Sequence, residues 1–385
     1  MPAFEVLIVG AGPAGATAAL NLAPTRRVCL IDLRSDVPAR IGESLPPAAR
    51  RLLTDMGLVE SFLAQGHAPC FGNRAAWGSN EPVETDFLRD PDGHGWHLDR
   101  ARFDGWLRGI AVDRGAVILA PARLRSIARD GGRWQVELAM AGQPLDFAAD
   151  FVIDAGGTTA PVATRLGARR PAQDGLVCGW VHGAAQNVGA AAGLTYVEAS
   201  QDGWWYTAAI PDERRVLAFH TDADLPAARI AADPQALLAR ASEAGELAQV
   251  LAECEFTPHR SGFTAAHTMA TDPCAGGGWL AAGDAALSFD PLSAQGLFNA
   301  LFTGLAAAEA ADRHLSGCQN AVPGYVETVA RIHLAYRRHL SFCYQAETRW
   351  PAARFWQRRH QANLCRSAVQ TGEGTHRQAV SRRCW

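Results

Sequence analysis

The stretch Phe4-Glu5-Val6-Leu7-Ile8-Val9-Gly10-Ala11-Gly12-Pro13-Ala14-Gly15 decides the fold. Its first six residues are mostly apolar and are followed by glycine, as in a short buried parallel strand. An alanine-rich helix is predicted to follow and to end before Pro24. Gly10, Gly12 and Gly15 form a GxGxxG pattern, which allows a tight turn and the close approach of a pyrophosphate to the helix N-terminus.

A second strand supports this interpretation. Arg27 to Ile31 is a strand candidate that ends at Asp32, 22 residues after Gly10. A carboxylate at this position can accept hydrogen bonds from the ribose hydroxyls of a bound dinucleotide. A glycine turn of purely structural use needs neither the flanking strand and helix nor this spacing. The unit therefore predicts an α/β protein with a Rossmann-type nucleotide-binding domain.

The composition excludes several classes of protein. The 385 residues are 48% hydrophobic and carry a net charge of −3, which gives no basic surface for nucleic acid. All 36 basic residues are arginine, so any mechanism that needs a lysine amine is excluded. Nine scattered cysteines without a CxxC pair indicate neither a disulfide framework nor a metal site, and favour a cytoplasmic location. No signal peptide is expected, because the sequence opens directly into a strand without a basic n-region and an apolar h-region before it. No membrane span is expected, because no apolar run reaches about 18 residues.

A second strand-turn-helix segment lies near residue 280. Trp279 to Ala282 is a predicted strand that ends in Gly283-Asp284, where a carboxylate can accept hydrogen bonds from ribityl hydroxyls. Phe289-Asp290-Pro291-Leu292-Ser293-Ala294-Gln295-Gly296 then leads into a long predicted helix. The free N–H groups at its start would face the pyrimidine edge of a flavin, which becomes negative on reduction. The two segments together predict FAD as the cofactor.

These segments resemble the single-FAD aromatic hydroxylase superfamily. That superfamily includes p-hydroxybenzoate hydroxylase, the geranylgeranyl reductases and the flavin-dependent halogenases. The resemblance rests on the GxGxxG pattern, on Arg100 in Trp96-His97-Leu98-Asp99-Arg100, and on the GDAA and DPLSAQG segments, and it covers roughly residues 1–330. Gly42-Glu43-Ser44-Leu45-Pro46-Pro47 is similar to the loop after the second strand in the reductases and halogenases.

The resemblance implies a p-hydroxybenzoate hydroxylase-like architecture. The FAD-binding domain would comprise residues 1–66, 98–165 and 268–330. An inserted substrate domain with an antiparallel sheet would comprise residues 67–97 and 166–267. Residues 331–385 would form a helical C-terminal region. Within the first domain, the spacing of the apolar residues predicts one helix over residues 45–65.

The resemblance also assigns cofactor-binding residues. Arg40 and Arg100 would neutralise the pyrophosphate or flank the ribityl chain, Asp284 would bind the ribityl chain, and residues 291–296 would lie against the isoalloxazine. The full predicted set is Gly10, Gly12, Pro13, Ala14, Gly15, Asp32, Arg40, Ser44, Arg100, Gly283, Asp284, Pro291, Ala294, Gln295 and Gly296.

The reaction is less well determined than the cofactor. The halogenases of this superfamily rely on a lysine, which this chain lacks, and residues 203–211 match their WxWxIP signature only in part. Halogenation is therefore not expected. An FAD-dependent prenyl reductase and a small-molecule aromatic hydroxylase both stay open. A third alternative is a flavin-binding assembly chaperone without turnover of its own.

DPLSAQG and Gly203-Trp204-Trp205-Tyr206 are most similar to a smaller branch, the flavin monooxygenases that mature cysteine tryptophylquinone enzymes. These act in the quinohaemoprotein amine dehydrogenase and the lysine or glycine oxidase systems. The resemblance implies hydroxylation of a tryptophan residue, through a C4a-hydroperoxyflavin, in a partner polypeptide that is a quinoprotein subunit precursor. NAD(P)H or a flavin reductase would supply the electrons.

Such a reaction needs a group that accepts a proton from the indole. The candidates are Glu43, His67, His97, His220 and His267, and His97 is preferred because it lies three residues from Arg100. Trp204, Trp205 and Tyr206 either line the indole pocket or belong to the core. The arginines and aromatic residues of the segment 331–366 either form a platform for the partner or belong to a helical lid with internal ion pairs.

Overall fold

The predicted strand–glycine–helix unit forms the centre of an eight-stranded sheet. The computed structural model describes residues 3–186 and 192–367. The strands, in chain order, are β1 (Ala3–Val9), β2 (Val28–Ile31), β3 (Ser44–Leu45), β4 (Ala68–Cys70), β5 (Gly72–Ala76), β6 (Val83–Asp86), β7 (Gly95–His97), β8 (Val117–Leu119), β9 (Ala122–Asp130), β10 (Arg133–Met140), β11 (Gln143–Asp154), β12 (Leu176–Ala184), β13 (Leu194–Ser200), β14 (Gly203–Ile210), β15 (Arg214–Asp222), β16 (Thr257–Ala265), β17 (Met269–Ala270), β18 (Ala275–Gly276), β19 (Trp279–Ala281) and β20 (Leu287–Ser288).

The helices lie between these strands and after them. They are α1 (Pro13–Leu22), α2 (Ala49–Asp55), α3 (Val59–Leu63), α4 (Arg100–Asp113), α5 (Pro161–Arg165), α6 (Ala227–Ala232), α7 (Pro234–Ala241), α8 (Gly245–Glu253), α9 (Gly296–Leu315), α10 (Ala321–Ala346) and α11 (Arg354–Ser367). The predicted helix over residues 45–65 is two short helices, because Gly57 adopts a positive φ of 69° between them.

The first sheet is mainly parallel. The order of its strands is β18-β19-β11-β1-β2-β8, and β9 and β10 extend it as an antiparallel meander from β11. β1 pairs in parallel with β2 and with β11, so its apolar residues are buried on both sides of the sheet. Helix α1 packs on this sheet beside α4 and α9. The carboxyl ends of β1, β2 and β11 therefore meet at one edge.

The second sheet has seven strands, in the order β16-β12-β15-β14-β13-β5-β6, and all its neighbours are antiparallel except β13 and β5. Helices α6, α7 and α8 cover one of its faces, where Trp205 and Phe219 belong to a buried cluster. The opposite face carries Trp204, Tyr206 and His220, and we call it the inner face. The period of two along a strand places Trp204 and Trp205 on different faces.

The C-terminal helices α10 and α11 pack against the second sheet. Trp77, Tyr344, Phe355 and Trp356 form an aromatic cluster there. The indole of Trp356 donates a hydrogen bond to the carbonyl of Ser200 at 3.0 Å. This part of the chain is therefore continuous with the core of the second sheet.

Several arginines of this region form ion pairs within the chain. Arg349 contacts Glu347 at 2.6 Å, and Arg359 contacts Asp222 at 2.8 Å. Arg358 contacts both Asp222 and Asp224. The alternative of internally paired arginines thus describes these side chains, and they do not supply an open platform for a partner.

The predicted fold class is confirmed: α/β, with a Rossmann-type FAD domain, an antiparallel sheet and C-terminal helices. The boundaries given for the domains stay predictions, and residues 368–385 of the predicted C-terminal region lie outside the described residues. In the part of the chain that the structure describes, no helix is long and apolar enough to cross a bilayer.

Candidate active site

A cavity of about 1230 Å³ lies between the two sheets, and we call it the main cavity. Its first wall is formed by the carboxyl ends of β1, β2 and β11, where parallel α/β sheets bind their ligands. Its second wall is the inner face of the second sheet. Ligand pockets usually measure about 300–1,000 Å³, so the main cavity has room for a large cofactor and a second group beside it.

The glycine loop has the geometry of a pyrophosphate cradle. Gly10 has a φ of 105°, and a Cβ there would lie 2.3 Å from the carbonyl oxygen of Ala155. A Cβ on Gly15 would lie 1.8 Å from the carbonyl oxygen of Gly10. A Cβ on Gly12 would meet no atom within 4 Å, so this side of the loop is open. No side chain caps the start of α1, which leaves its first N–H groups directed at this opening.

Asp32 and Arg108 support the loop from the second strand. The carboxylate of Asp32 accepts a hydrogen bond from the N–H of Ala11 at 2.7 Å and another from Arg108 at 3.1 Å. Arg108 also donates to the carbonyl of Ala11 at 2.8 Å. Sequence reasoning missed Arg108, although it lies eight residues after Arg100 on the same face of α4. Asp32 and Arg108 both line the main cavity.

Arginines gather on one side of the main cavity. Arg100 pairs with Asp104 at 3.1 Å and donates to the carbonyl of Gly42 at 2.9 Å. Burial, and next the positive charge of Arg100, lower the pKa of Arg40. Burial raises the pKa of Asp284, whereas Arg100 and Arg40 oppose this change. Asp284 is therefore close enough to both arginines to interact with their charges. This position is expected of a group that binds the ribityl chain, between the pyrophosphate and the flavin ring.

The DPLSAQG segment forms a short 3₁₀ turn, Pro291–Ser293, before α9. Ala294 adopts a positive φ of 49°, which turns the chain into the helix. No side chain caps the start of α9 at Gln295, so the N–H groups of its first turn stay available. The predicted flavin-facing residues all line the main cavity: Pro291, Ala294, Gln295 and Gly296.

Glu43 and Ser44 reach the inner face of the second sheet. The hydroxyls of Ser44 and Tyr206 lie 3.0 Å apart. Burial, followed by the negative charge of Glu43, raises the pKa of Tyr206 well above its usual value, so this phenol stays protonated. The structure thus brings Glu43, Ser44 and Tyr206 together at the main cavity, and their roles there stay predictions.

Two predicted catalytic residues need correction. His97 is fully buried behind the cavity wall, where its Nε2 lies 2.8 Å from the hydroxyl of Thr195. Trp205 packs on Phe219 under the covering helices and does not line the main cavity. His97 is the last residue of β7, and its side chain contacts Thr195 of β13. Trp205 lies on the opposite face from Trp204 because side chains alternate along a strand.

Of the other candidate histidines, one lies away from the main cavity and two line it. His67 does not reach the main cavity; burial lowers its pKa to about 4. His267 and His220 line the cavity, and the ring of His220 stacks on Trp204 with centroids 3.7 Å apart. Burial lowers the pKa of His220 to about 3, so this imidazole is neutral at physiological pH and a weak base.

Sequence reasoning also missed Cys70 as a cavity residue. Burial raises the pKa of its thiol, but the nearby His97 and hydrogen bonds to Thr195 and Gly72 bring it down to about 7. The position of Cys70 depends on the pairing of β4 with β7, and no spacing along the sequence predicts that pairing.

The comparisons with known proteins agree with this site. The chain matches the FAD binding domain family over residues 3–305. The putative FAD-dependent oxidoreductase LodB of Marinomonas mediterranea is 29% identical over 364 residues, which cover 94% of this chain and 98% of that protein.

Two solved structures share the fold. The myxobacterial chondrochloren halogenase CndH superposes with a TM-score of 0.86 at 23% identity, and the match covers 96% of this chain and 90% of that one. The peptidyl tryptophan dihydroxylase QhpG, described as essential for tryptophylquinone cofactor biogenesis, superposes with a TM-score of 0.72 at 24% identity, covering 93% and 79%.

The superfamily resemblance and the prediction of FAD are thereby confirmed. The glycine cradle, the acid at the end of β2 and the uncapped start of α9 are the features that a bound FAD requires, and the matched segment contains all three. The chain belongs to the FAD-binding domain family and is a flavin-dependent oxidoreductase.

Proposed function

We propose that this protein is an FAD-dependent monooxygenase that hydroxylates a tryptophan residue of a partner polypeptide during the biogenesis of a tryptophylquinone cofactor. One observation carries the proposal. The inner face of the second sheet presents Trp204, Tyr206 and His220 to the main cavity, opposite the segment 291–296. A flat aromatic wall that also carries a hydroxyl and an imidazole suits an indole ring, which is flat and has one N–H donor.

The similarities to known proteins support the same reaction class. The match to LodB extends over nearly the whole of both chains, so it includes the second sheet and the C-terminal helices. QhpG has the same fold and acts on a peptidyl tryptophan. We extend that substrate class to this chain because its inner face provides an aromatic pocket beside the FAD domain.

The residues of this chain have separable tasks. Bound FAD, once reduced, supplies the chemistry of oxygen activation. The stacked rings of Trp204 and His220 would fix the plane of the indole beside the start of α9. Glu43 lines the cavity and would accept the proton that the indole releases. Leu292 and Cys178 are almost fully buried and line the cavity, and their apolar side chains would help to exclude water there.

Two alternatives fit the inner face less well. A prenyl chain needs a long apolar channel, whereas this wall carries Thr195, Tyr206 and His220. Halogenation through a lysine amine is not open to this chain, because it contains no lysine.

Co-expression with the precursor of a tryptophylquinone subunit tests the proposal. Mass spectrometry should find the mass of one or two additional oxygen atoms on a tryptophan of the precursor only when this protein is present. A precursor that gains no oxygen, together with oxygen consumption on free small aromatic compounds, would favour a small-molecule hydroxylase. A flavin-loaded protein that consumes no oxygen in either case would favour an assembly chaperone.

Trp204→Phe and Trp205→Phe form a matched pair for the same assay. The two residues are adjacent on β14, but only Trp204 lines the main cavity. We expect Trp204→Phe to lower the yield of hydroxylated precursor at least about tenfold, because the positioning of a reactant is worth several kcal/mol. Trp205→Phe should leave the yield per folded protein unchanged. Equal losses in both variants would argue that the inner face does not bind the substrate.

A further inference from the structure

The buried contact between Glu43 and His182 gives a second, untested role to the carboxyl group of Glu43. Glu43 is 1% exposed, and its Oε1 lies 3.1 Å from Nε2 of His182. Its Oε2 accepts a hydrogen bond from the N–H of Gly42 at 3.1 Å. His182 lies on β12 with a side chain that is 11% exposed. Sequence reasoning singled out Glu43 but not His182, which is far from it in the chain.

The pair stands between two cavities. A small cavity of about 10 Å³, roughly the space of one water molecule, adjoins the main cavity behind Glu43. Glu43, Arg40 and Arg100 line both cavities, whereas His182 lines only the small one. Glu43 thus forms part of the wall between the two cavities, and the imidazole of His182 lies on the side of the small cavity.

Other titratable or charged groups surround the pair, and each could in principle carry a proton instead. They belong to the loop before β3, to α4 and its N-cap, and to strands β12, β14, β15 and β16: Arg40, Asp99, Arg100, Asp104, Cys178, Tyr206, Arg214 and Arg260. The arginines are always protonated. Asp104 pairs with Arg100, and Asp99 pairs with Arg214.

Cys178 and Tyr206 are also unsuitable carriers. Burial, with the charge of Glu43 as a second cause, raises the pKa of both groups, so both keep their protons at physiological pH. Among these groups, Glu43 and His182 are therefore the carboxyl and the imidazole that contact each other directly, and such a contact can pass a proton.

We propose that Glu43 and His182 form a proton relay between the main cavity and solvent, in which His182 is the positioning residue that orients and reloads Glu43. A proton from solvent binds Nδ1 of His182, the proton on Nε2 passes to Oε1 of Glu43, and the carboxyl group releases it into the main cavity. The imidazole is then neutral again. The reverse order carries a proton out.

Oxidation of reduced FAD by dioxygen would use such a path. Bound FAD would pass two electrons to dioxygen, which would take one proton from the reduced flavin and one from solvent and leave as hydrogen peroxide. The relay would bring that solvent proton to the main cavity. This step needs no substrate, so the relay depends on FAD binding and not on tryptophan as the substrate. A negative result for precursor hydroxylation would leave the relay intact.

The test uses the holoprotein, reduced under nitrogen and mixed with oxygenated, weakly buffered solution in a stopped-flow instrument. Flavin absorbance reports reoxidation, and the dye phenol red reports proton uptake. His182→Gln keeps a hydrogen-bond donor for Glu43 but cannot carry a proton. We expect about hundredfold slower proton uptake in this variant, the low end of the usual contribution of a proton-transfer group. Added imidazole should restore the rate.

Glu43→Gln is the second variant, and it should be equally slow but not respond to imidazole, which replaces only His182. His259→Gln, on the exposed strand β16, is the matched control and should behave as the wild type. Unchanged proton uptake in His182→Gln would overturn the relay. Loss of FAD from that variant, or a slow rate that imidazole does not restore, would overturn it as well, because either result assigns the pair a structural role.

Discussion

At the scale of single residues, Asp284 connects the sequence motif to the retention of the cofactor. It lies in the Gly283–Ala285 turn after β19 and lines the main cavity, with Arg40 and Arg100 in electrostatic contact. We expect Asp284→Ala to weaken FAD binding about ten- to hundredfold, because losing a hydrogen bond to a charged group costs about 1.5–3 kcal/mol. Titration of the apoprotein with FAD, followed by flavin fluorescence, measures the change.

Asp146→Ala is the matched control for that titration. Asp146 is exposed on β11 and pairs across the meander with Glu137, on a part of the first sheet that does not line the main cavity. Its removal should leave FAD affinity unchanged. If the Asp284→Ala protein retained full affinity, the ribityl chain would have to be placed elsewhere.

Single residues also show where sequence reasoning was sufficient. The glycines, Asp32 and Asp284 belong to local strand-turn-helix segments, so their neighbours in sequence are also their neighbours in space. His182 and Arg108 reach the site through strand pairing and helix packing between distant segments, and no local pattern reports such contacts. His97 was preferred as the base because it lies close to Arg100 in sequence. That closeness does not determine whether its side chain faces the main cavity.

At the scale of elements, helix α10 holds the flavin-facing turn in place. Tyr344 donates a hydrogen bond to the carboxylate of Asp290 at 2.7 Å, and the N–H of Asp290 donates to the hydroxyl of Tyr336 at 2.8 Å. Burial, and next the charge of Asp174, raise the pKa of Asp290 to about 6. The Asp290 carboxylate therefore connects the DPLSAQG turn to a helix that comes from a different part of the sequence.

This raised pKa predicts a pH-dependent stability. An unfolded aspartate has a pKa of about 3.9, so between about pH 4 and pH 6 the folded protein binds more protons than the unfolded chain, and its stability falls as the pH rises. Asp290→Asn removes the titration. Relative to the wild type, the variant should gain up to about 3 kcal/mol in unfolding free energy between pH 4 and pH 7.

Urea unfolding of both proteins across this pH range measures the difference, and a constant offset from the changed hydrogen bonds does not affect it. Tyr344→Phe provides a second check. The Tyr344 hydroxyl lowers the pKa of Asp290, so its removal should extend the pH dependence above pH 6. Parallel curves for the wild type and Asp290→Asn from pH 4 to pH 7 would contradict this account.

At the scale of the whole molecule, the sequence predicted the class of fold more fully than the role of its last described helices. Helical periodicity and the richness in arginine were visible in residues 331–366, but the pairing of those arginines was not. Arg358 and Arg359 pair with Asp222 and Asp224, which lie more than a hundred residues earlier, at and just after the end of β15. Only the folded chain brings the two charge groups together.

These contacts predict that the C-terminal helices melt together with the rest of the molecule. Trp356 is fully buried against Trp77 and Tyr344, while Ile332, Ala335 and His339 of α10 line the main cavity. Trp356→Ala should cost about 3–5 kcal/mol, the usual penalty for deleting a buried aromatic side chain. Because α10 connects that cluster to the cavity, we expect flavin release to shift to lower temperature along with the unfolding transition.

Tryptophan and flavin fluorescence, recorded in the same thermal scan, test this coupling. Leu334→Ala is the matched control, since Leu334 is 53% exposed on α10 and its removal should change stability by no more than about 0.5 kcal/mol. In the wild type and in Trp356→Ala, the two signals should change at the same temperature. A detached lid would behave differently: Trp356→Ala would then lower only an early tryptophan transition and leave flavin release at the wild-type temperature.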